Sequence, residues 1–189
     1  MATFVAVYDA CVLYPAPLRD LLIRLAQTGH FRARWTDRIH DEWLRNLKRN
    51  RPDLPDQALD RTRRLIDEAV ADALVTGYEA HEGSLALPDP ADLHVLAAAV
   101  RCNAGVIVTY NVRDFPADVL APLGISAQHP DEFVSHLFDL APGVVSAAVR
   151  DQRAALKNPP RTIAELLDSF LSLQLTETVA HLRTMQELL

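Results

Sequence analysis

Apolar positions run along this chain in two rhythms, one unbroken over a few residues and one returning every three or four. FVAVYDA near the start and GVIVTY at residues 105–110 are of the first kind, and lack the alternation of a half-exposed strand. Both read as short parallel strands covered on two faces. The second rhythm fills the segments between them. Leu18, Leu21, Leu22 and Leu25 mark PLRDLLIRLAQTG as a helix with Gly29 as its C-cap. Thr36 caps a helix with Ile39, Trp43 and Leu47 inward, ended by Pro52. A third helix is predicted from Pro55 to about Leu74, with Leu59, Leu65, Ile66 and Ala69 inward. LPDPADLHVLAAAV then reads as a helix, FPADVLAPLG as a short helix, GISAQ as a short strand and PDEFVSHLFDL as a helix. Strands alternating with helices predict an α/β fold, a parallel sheet flanked by helices.

Beyond Ala141 and Pro142 the pattern becomes wholly helical. VVSAAVRDQRAAL is followed by the break KNPPR, a capping box of Thr162 and Glu165, and a last helix running to Leu189. We therefore divide the chain into residues 1–140, the α/β domain, and 141–189, a helical extension too small to be trusted to fold alone.

Composition narrows the function classes. At 189 residues and 49% hydrophobic, the chain suits one full core. It lacks a basic leader and any uncharged run near the roughly 20 residues that cross a bilayer, so the expected setting is cytoplasmic, with no membrane partner. Cys11 and Cys102 have no CxxC spacing, and the seven histidines have no HxxxH or HExxH spacing. Reduced, buried thiols are expected, and a zinc site is not. The net charge of −6 is unevenly spread. Bases outnumber acids from Arg32 to Arg64, whereas Leu65 to Val149 holds only Arg101 and Arg113 against a dozen acids.

The acids carry the chemistry. Asp9 interrupts the first apolar strand, where a lone carboxylate would be costly and needs a partner. Asn111 and Asp114 follow the end of GVIVTY, and ligands of open parallel sheets bind outside the carboxyl ends of strands. Asp89 and Asp92 open a helix, and Glu42 sits beside the inward Trp43.

In order, VYDACVLYP, IHDEW, LPDPADLHVLAAAV and IVTYNVRDFP resemble the PIN domain, and closely its VapC-type toxins, over residues 3–138. The helical tail looks like the C-terminal extension of one subgroup. The resemblance implies a ribonuclease whose Asp9, Glu42, Asp92 and Asp114 are catalytic and hold Mg²⁺ or Mn²⁺. Thr109 and Asn111 match the supporting polar positions, and family position makes Asp92 the ligand, with Asp89 capping or supporting. It also implies an RNA substrate, a cognate antitoxin and a homodimer. Clustered carboxylates without soft ligands suit such an ion, which activates water for phosphodiester hydrolysis. Cys11 departs from the family, where Asn, Ser or Thr is commoner two positions after the first Asp.

Each residue also has a plainer reading. Asp9 could cap a turn, and Glu42 could pair with Arg38 or Arg45 on a solvated helix. His40 and His94 read as polar or capping residues. Arg38, Arg45, Lys48, Arg49 and Arg51 could form a solvated surface, or could track a phosphate backbone beside the acids. A non-catalytic PIN-fold module that binds RNA or protein is the alternative function. A phospho-acceptor domain ranks third, since no lysine lies between Lys48 and Lys157.

Overall fold

The computed structural model describes residues 3–185, 187 and 189. Strand β1 (Val5–Tyr8) leads through the short helix α1 (Ala10–Leu13) into α2 (Ala16–Gln27). Strand β2 (Arg32–Arg34), α3 (Asp37–Asn50), α4 (Asp56–Ala69) and the single turn α5 (Glu79–Glu82) follow. A 3₁₀ turn at Pro90–Asp92 opens α6 (Leu93–Arg101), which precedes β3 (Val106–Val108). A second 3₁₀ turn (Val112–Asp114), α7 (Ala117–Leu120) and β4 (Ser126–Gln128) lead to α8 (Pro130–Leu140). The chain closes with α9 (Pro142–Ala155), α10 (Ile163–Ser172) and α11 (Thr176–Thr184).

The sheet has the order β2-β1-β3-β4 and every pair is parallel. Val7 is paired with Arg34 on one side and Ile107 on the other, so β1 is interior. That explains its unbroken apolar sequence: Ala6, Val7 and Tyr8 are fully buried. Phe31 meets Phe133 edge to face at 5.2 Å, which packs α8 against the β1–β2 side of the sheet, where Tyr8 stacks on Trp35 at 6.2 Å. Among the described residues, no helix is long and apolar enough to cross a membrane.

Two expectations need correction. Strand β2 was not foreseen, because it is an edge strand in which arginines flank a single buried Ala33, too short a run for alternation to register. Arg32 and Arg34 therefore lie on a strand rather than a helical surface. The third helix stops at Ala69 instead of continuing to Leu74. Beyond it Asp72 adopts a positive φ of 58°, and the chain turns to cover the sheet edge, with Trp35 N–H donating to Ala73 O at 3.0 Å and Val75 N–H to Trp35 O at 2.8 Å. Gly29 lies just past the cap of α2 at φ 76°, a left-handed position that glycine adopts without strain.

In the extension, α9 and α10 lie on α2, and α11 lies on α8. The capping box is present: Thr162 N–H donates to Glu165 Oε2 at 2.7 Å, and Glu165 N–H to Thr162 Oγ1 at 3.2 Å. Leu166, Phe170, Val179 and Leu182 join the same apolar core as Val7 and Leu22. Asp131 of α8 is buried and receives Thr178 N–H at 2.8 Å, Glu177 N–H at 2.9 Å and the Thr176 hydroxyl at 3.2 Å. It caps α11 from another helix. Burial alone would raise its pKa, but these hydrogen bonds outweigh burial and hold it below the usual carboxylate value.

Candidate active site

Asp9 leaves the carboxyl end of β1 and caps α1, with Oδ1 accepting Ala10 N–H at 2.6 Å. Its Oδ2 accepts the Thr109 hydroxyl at 2.7 Å and the Cys11 thiol at 3.1 Å. The carboxylate is 4% exposed, and donors from both central strand ends satisfy it. Cys11 thus replaces a hydroxyl or amide donor with a thiol. Burial, and then the charge of Asp9, push the Cys11 pKa far up, so the sulfur keeps its proton and can donate. The same sulfur accepts Tyr110 N–H at 3.3 Å, and Thr109 Oγ1 accepts Asn111 N–H at 2.9 Å. Thr109 is fully buried, so its supporting role is local and rigid.

Helix α3 carries Glu42. Thr36 caps that helix by accepting Ile39 N–H at 3.1 Å, and a buried polar chain holds it against α4. Trp43 Nε1 donates to His40 Nδ1 at 3.0 Å, His40 Nε2 lies 2.9 Å from Asp67 Oδ1, and Trp35 Nε1 donates to the same oxygen at 2.8 Å. Burial lowers the His40 pKa, leaving a neutral ring with its proton on Nε2. His94 is also fully buried, and its Nε2 lies 3.0 Å from Glu42 Oε1 without hydrogen-bond alignment. Both of its ring nitrogens are unpartnered among the described residues. An imidazole in this state is costly, and what it faces is the Glu42 carboxylate.

Asp89 caps the 3₁₀ turn before α6, accepting Ala91 N–H at 2.8 Å, and places Asp92 at its end. The Asp92 pKa is raised to about 6, first by partial burial and then by the charges of Asp9, Asp89 and Asp114. Among the described residues, none of Asp9, Asp92 and Asp114 is ion-paired with a basic side chain.

Asp9, Glu42, Asp92 and Asn111 line one open cavity of about 380 Å³. Asp114 stands outside that lining and acts on Asp92 through its charge. Among the described residues, no three His, Cys, Asp or Glu side chains form a ready-made metal cage. The donors are nevertheless all oxygen, which fits a hard ion, and Mg²⁺ usually takes one or two carboxylates and keeps several waters. A larger cavity of about 610 Å³ between α2, α4 and the α9–α10 connection holds a single acid, Asp20, already bonded to Arg24 at 3.0 Å. The acid chemistry is in the smaller one.

Of the arginines and lysine suggested for RNA, Arg49 lines the acidic cavity, and Arg45 is exposed. Lys48 meets Asp56 at 2.8 Å, Arg51 meets Asp53 at 2.7 Å, and Arg38 lies 3.9 Å from Glu42 and 3.6 Å from Glu82. The same cavity is also lined by Tyr14, Asn46 and Asn50, which sequence reasoning passed over. The signal for the two amides was their spacing, four and eight residues after Glu42, on one helical face.

The sequence profile of the PIN domain matches residues 5–113, and that of the VapC50 C-terminal domain matches residues 130–184. A stretch of 78 residues is 46% identical to the protein named "Putative ribonuclease VapC50" of Mycobacterium tuberculosis (strain ATCC 25618 / H37Rv). It covers 41% of this chain and 46% of that relative, so the chain matches less than half of the relative's length. No solved structure matches the chain.

Proposed function

The chain belongs to the PIN-domain family, and from that premise we propose that it is a metal-dependent endoribonuclease, the toxin of a VapBC-type pair restrained by a cognate antitoxin. Residues 1–140 form the nuclease, and residues 141–189 its helical extension. The proposal includes a cytoplasmic setting and a homodimer. The observation that carries the catalytic reading is the convergence of Asp9, Glu42 and Asp92 on one open cavity, where burial and the charges of Asp9, Asp89 and Asp114 raise the Asp92 carboxyl to about 6. Crowding of this kind is relieved by a cation.

Asp9, Glu42 and Asp92 would hold Mg²⁺ or Mn²⁺, with Asn111 contributing an amide oxygen and Asp114 and Asp89 adding negative charge around them. The ion, when bound, supplies Lewis-acid activation of water and neutralises charge on the leaving oxygen. The Cys11 thiol and Thr109 hydroxyl fix the Asp9 carboxylate so that its orientation need not be found anew at each turnover. In the hydrolysis, the water oxygen bonds to phosphorus, the P–O3′ bond breaks, and the departing oxygen takes a proton. The products are a 5′-phosphate and a 3′-hydroxyl.

The test is cleavage of RNA by the purified chain with Mg²⁺ or Mn²⁺ and with chelator, with sequencing of the ends. Cleavage that survives chelator or Asp9→Ala overturns the proposal. A second reading, a non-catalytic PIN-fold module that binds RNA or protein, is favoured by the lack of a ready-made cage among the described residues. It predicts binding without cleavage in the same assay.

Melting temperatures give an independent check on the ion. A carboxyl raised from 3.8 to about 6 favours folding while protonated. That contribution is complete below pH 3.8 and is lost as pH rises through about 6. Mg²⁺ is therefore expected to raise Tm more at neutral pH than near pH 5, and an equal shift at both counts against a site at Asp92.

His94→Leu removes the two unpartnered ring nitrogens and nearly preserves the volume. Its Tm is expected to equal or exceed that of the parent. If His94 orients Glu42, Mn²⁺ affinity falls by roughly tenfold or more, as when outer-shell partners of metal ligands are lost. Calorimetric titration with Mn²⁺ reads this directly, and unchanged affinity would give His94 a packing role only.

A further inference from the structure

We propose that the stripe of α3 running outward from Glu42 is a subsite for one unpaired nucleobase of the RNA, with the Tyr14 ring as its platform; this rests on the ribonuclease reading of the pocket. Glu42, Asn46, Arg49 and Asn50 fall on one face of α3, and all four line the cavity with Tyr14. The stripe runs from the acids outward for about 12 Å, eight residues of helical rise. A strand whose phosphate met a cation held by Glu42 and Asp92 would lay its neighbouring nucleotide along it.

Tyr14 is held from both ends. Arg19 donates to the carbonyls of Leu13 at 2.7 Å and Tyr14 at 3.0 Å, while its guanidinium lies 4.8 Å from the centre of the Trp43 ring. At the other end, Asn50 Nδ2 donates to Tyr14 Oη at 2.9 Å. The ring is thus positioned before any ligand arrives, which lowers the ordering cost of binding. Asn50 keeps its side-chain carbonyl for a base edge. Arg49 spends one of its five N–H groups on Asn46 Oδ1 at 3.3 Å, which leaves the rest for a phosphate and leaves the Asn46 amide NH₂ as a donor. An aromatic ring, an amide donor, an amide acceptor and a guanidinium are the equipment for reading an unstacked base. A base inside a duplex is already stacked on its neighbours and has no free face for the ring.

The experiment measures fluorescence anisotropy of a labelled twelve-nucleotide single-stranded RNA of mixed sequence, with Mg²⁺, on the full chain carrying Asp9→Asn to prevent turnover. Tyr14→Ala removes the stacking platform and is expected to weaken binding roughly tenfold. Tyr14→Leu, which fills the space without a ring, should do the same, and Tyr14→Phe should stay within about twofold. A fully paired duplex should compete poorly. Tyr14→Leu binding as tightly as the parent overturns the subsite. So does Tyr14→Phe losing as much as Tyr14→Leu, because that outcome assigns Tyr14 to the tie with Asn50 alone. Should Tyr14→Ala fail to fold, the Leu and Phe pair decides. Cleavage by the unmodified chain, followed in parallel, separates the two claims. Cleavage with no ring dependence removes the subsite alone, and ring-dependent binding without cleavage removes the catalytic reading alone.

Discussion

Replacing Asp9 with Asn is expected to lower RNA cleavage by roughly a thousandfold, about 4 kcal/mol of transition-state stabilisation at 1.36 kcal/mol per tenfold. The melting temperature stays within a few degrees of the parent. The two halves of this expectation have different causes. The side chain is buried at the end of β1 and serves the fold as an acceptor for Ala10 N–H and the Thr109 hydroxyl. An asparagine has the same shape and can keep the Ala10 contact, and the Thr109 hydroxyl can rotate to receive the new N–H₂. What it cannot keep is the charge that a divalent ion needs. The substitution also reaches Asp92, because Asp9 is the first of the acids that raise its pKa, after burial itself. NMR titration of the metal-free variant should place the Asp92 midpoint below about 6. A variant that keeps more than a tenth of the parent rate would remove Asp9 from the reaction, whatever its effect on Asp92.

Asp131→Ala is expected to lower the melting temperature by on the order of 10 °C, the largest stability effect foreseen for a single polar side chain here. One buried carboxylate receives two backbone N–H groups and a hydroxyl at the start of α11, the Thr178 bond fully buried and the other two partly so. Removing it leaves those donors unpaired, at a cost of about 2–4 kcal/mol. In a chain of this size each kcal/mol moves Tm by about 2–4 °C. Asp131→Asn should recover part of the loss, since one acceptor oxygen remains. The folded-state pKa is depressed, so the contribution is present above the ordinary value of 3.8 and is lost as pH falls through the lower folded value. The gap between parent and Asp131→Ala should therefore narrow in acid. Equal melting at neutral pH, or early loss of α11 to protease in both proteins, would contradict this account.

The sequence displays the acids because carboxylates stand out inside apolar runs. Asp9 within VAVYDA and Asp92 before LHVLAAAV need partners, and that need is visible without a structure. Relations across the fold are different. Nothing in VYDACVLYP says that the Cys11 sulfur reaches Asp9 and Thr109, because the last contact joins residues 98 positions apart. Asp131 resembles any acid in the first turn of a helix, and its use by another helix appears only when α8 and α11 meet. Strand β2 is short enough for its arginines to conceal it. Tyr14 gives no sign in the sequence of its hydroxyl contact with Asn50, which joins residues 36 positions apart.

Tyr110 touches three parts of the molecule at once. Its backbone N–H donates to Cys11 Sγ at 3.3 Å, its hydroxyl donates to Leu173 O at 2.9 Å beyond α10, and its ring meets His129 edge to face at 5.0 Å. Acid pocket and helical tail are therefore heirs to one another. A chimera that grafts foreign C-terminal helices onto this sheet would have to bring a carbonyl to the Tyr110 hydroxyl, or surrender the brace beside Cys11.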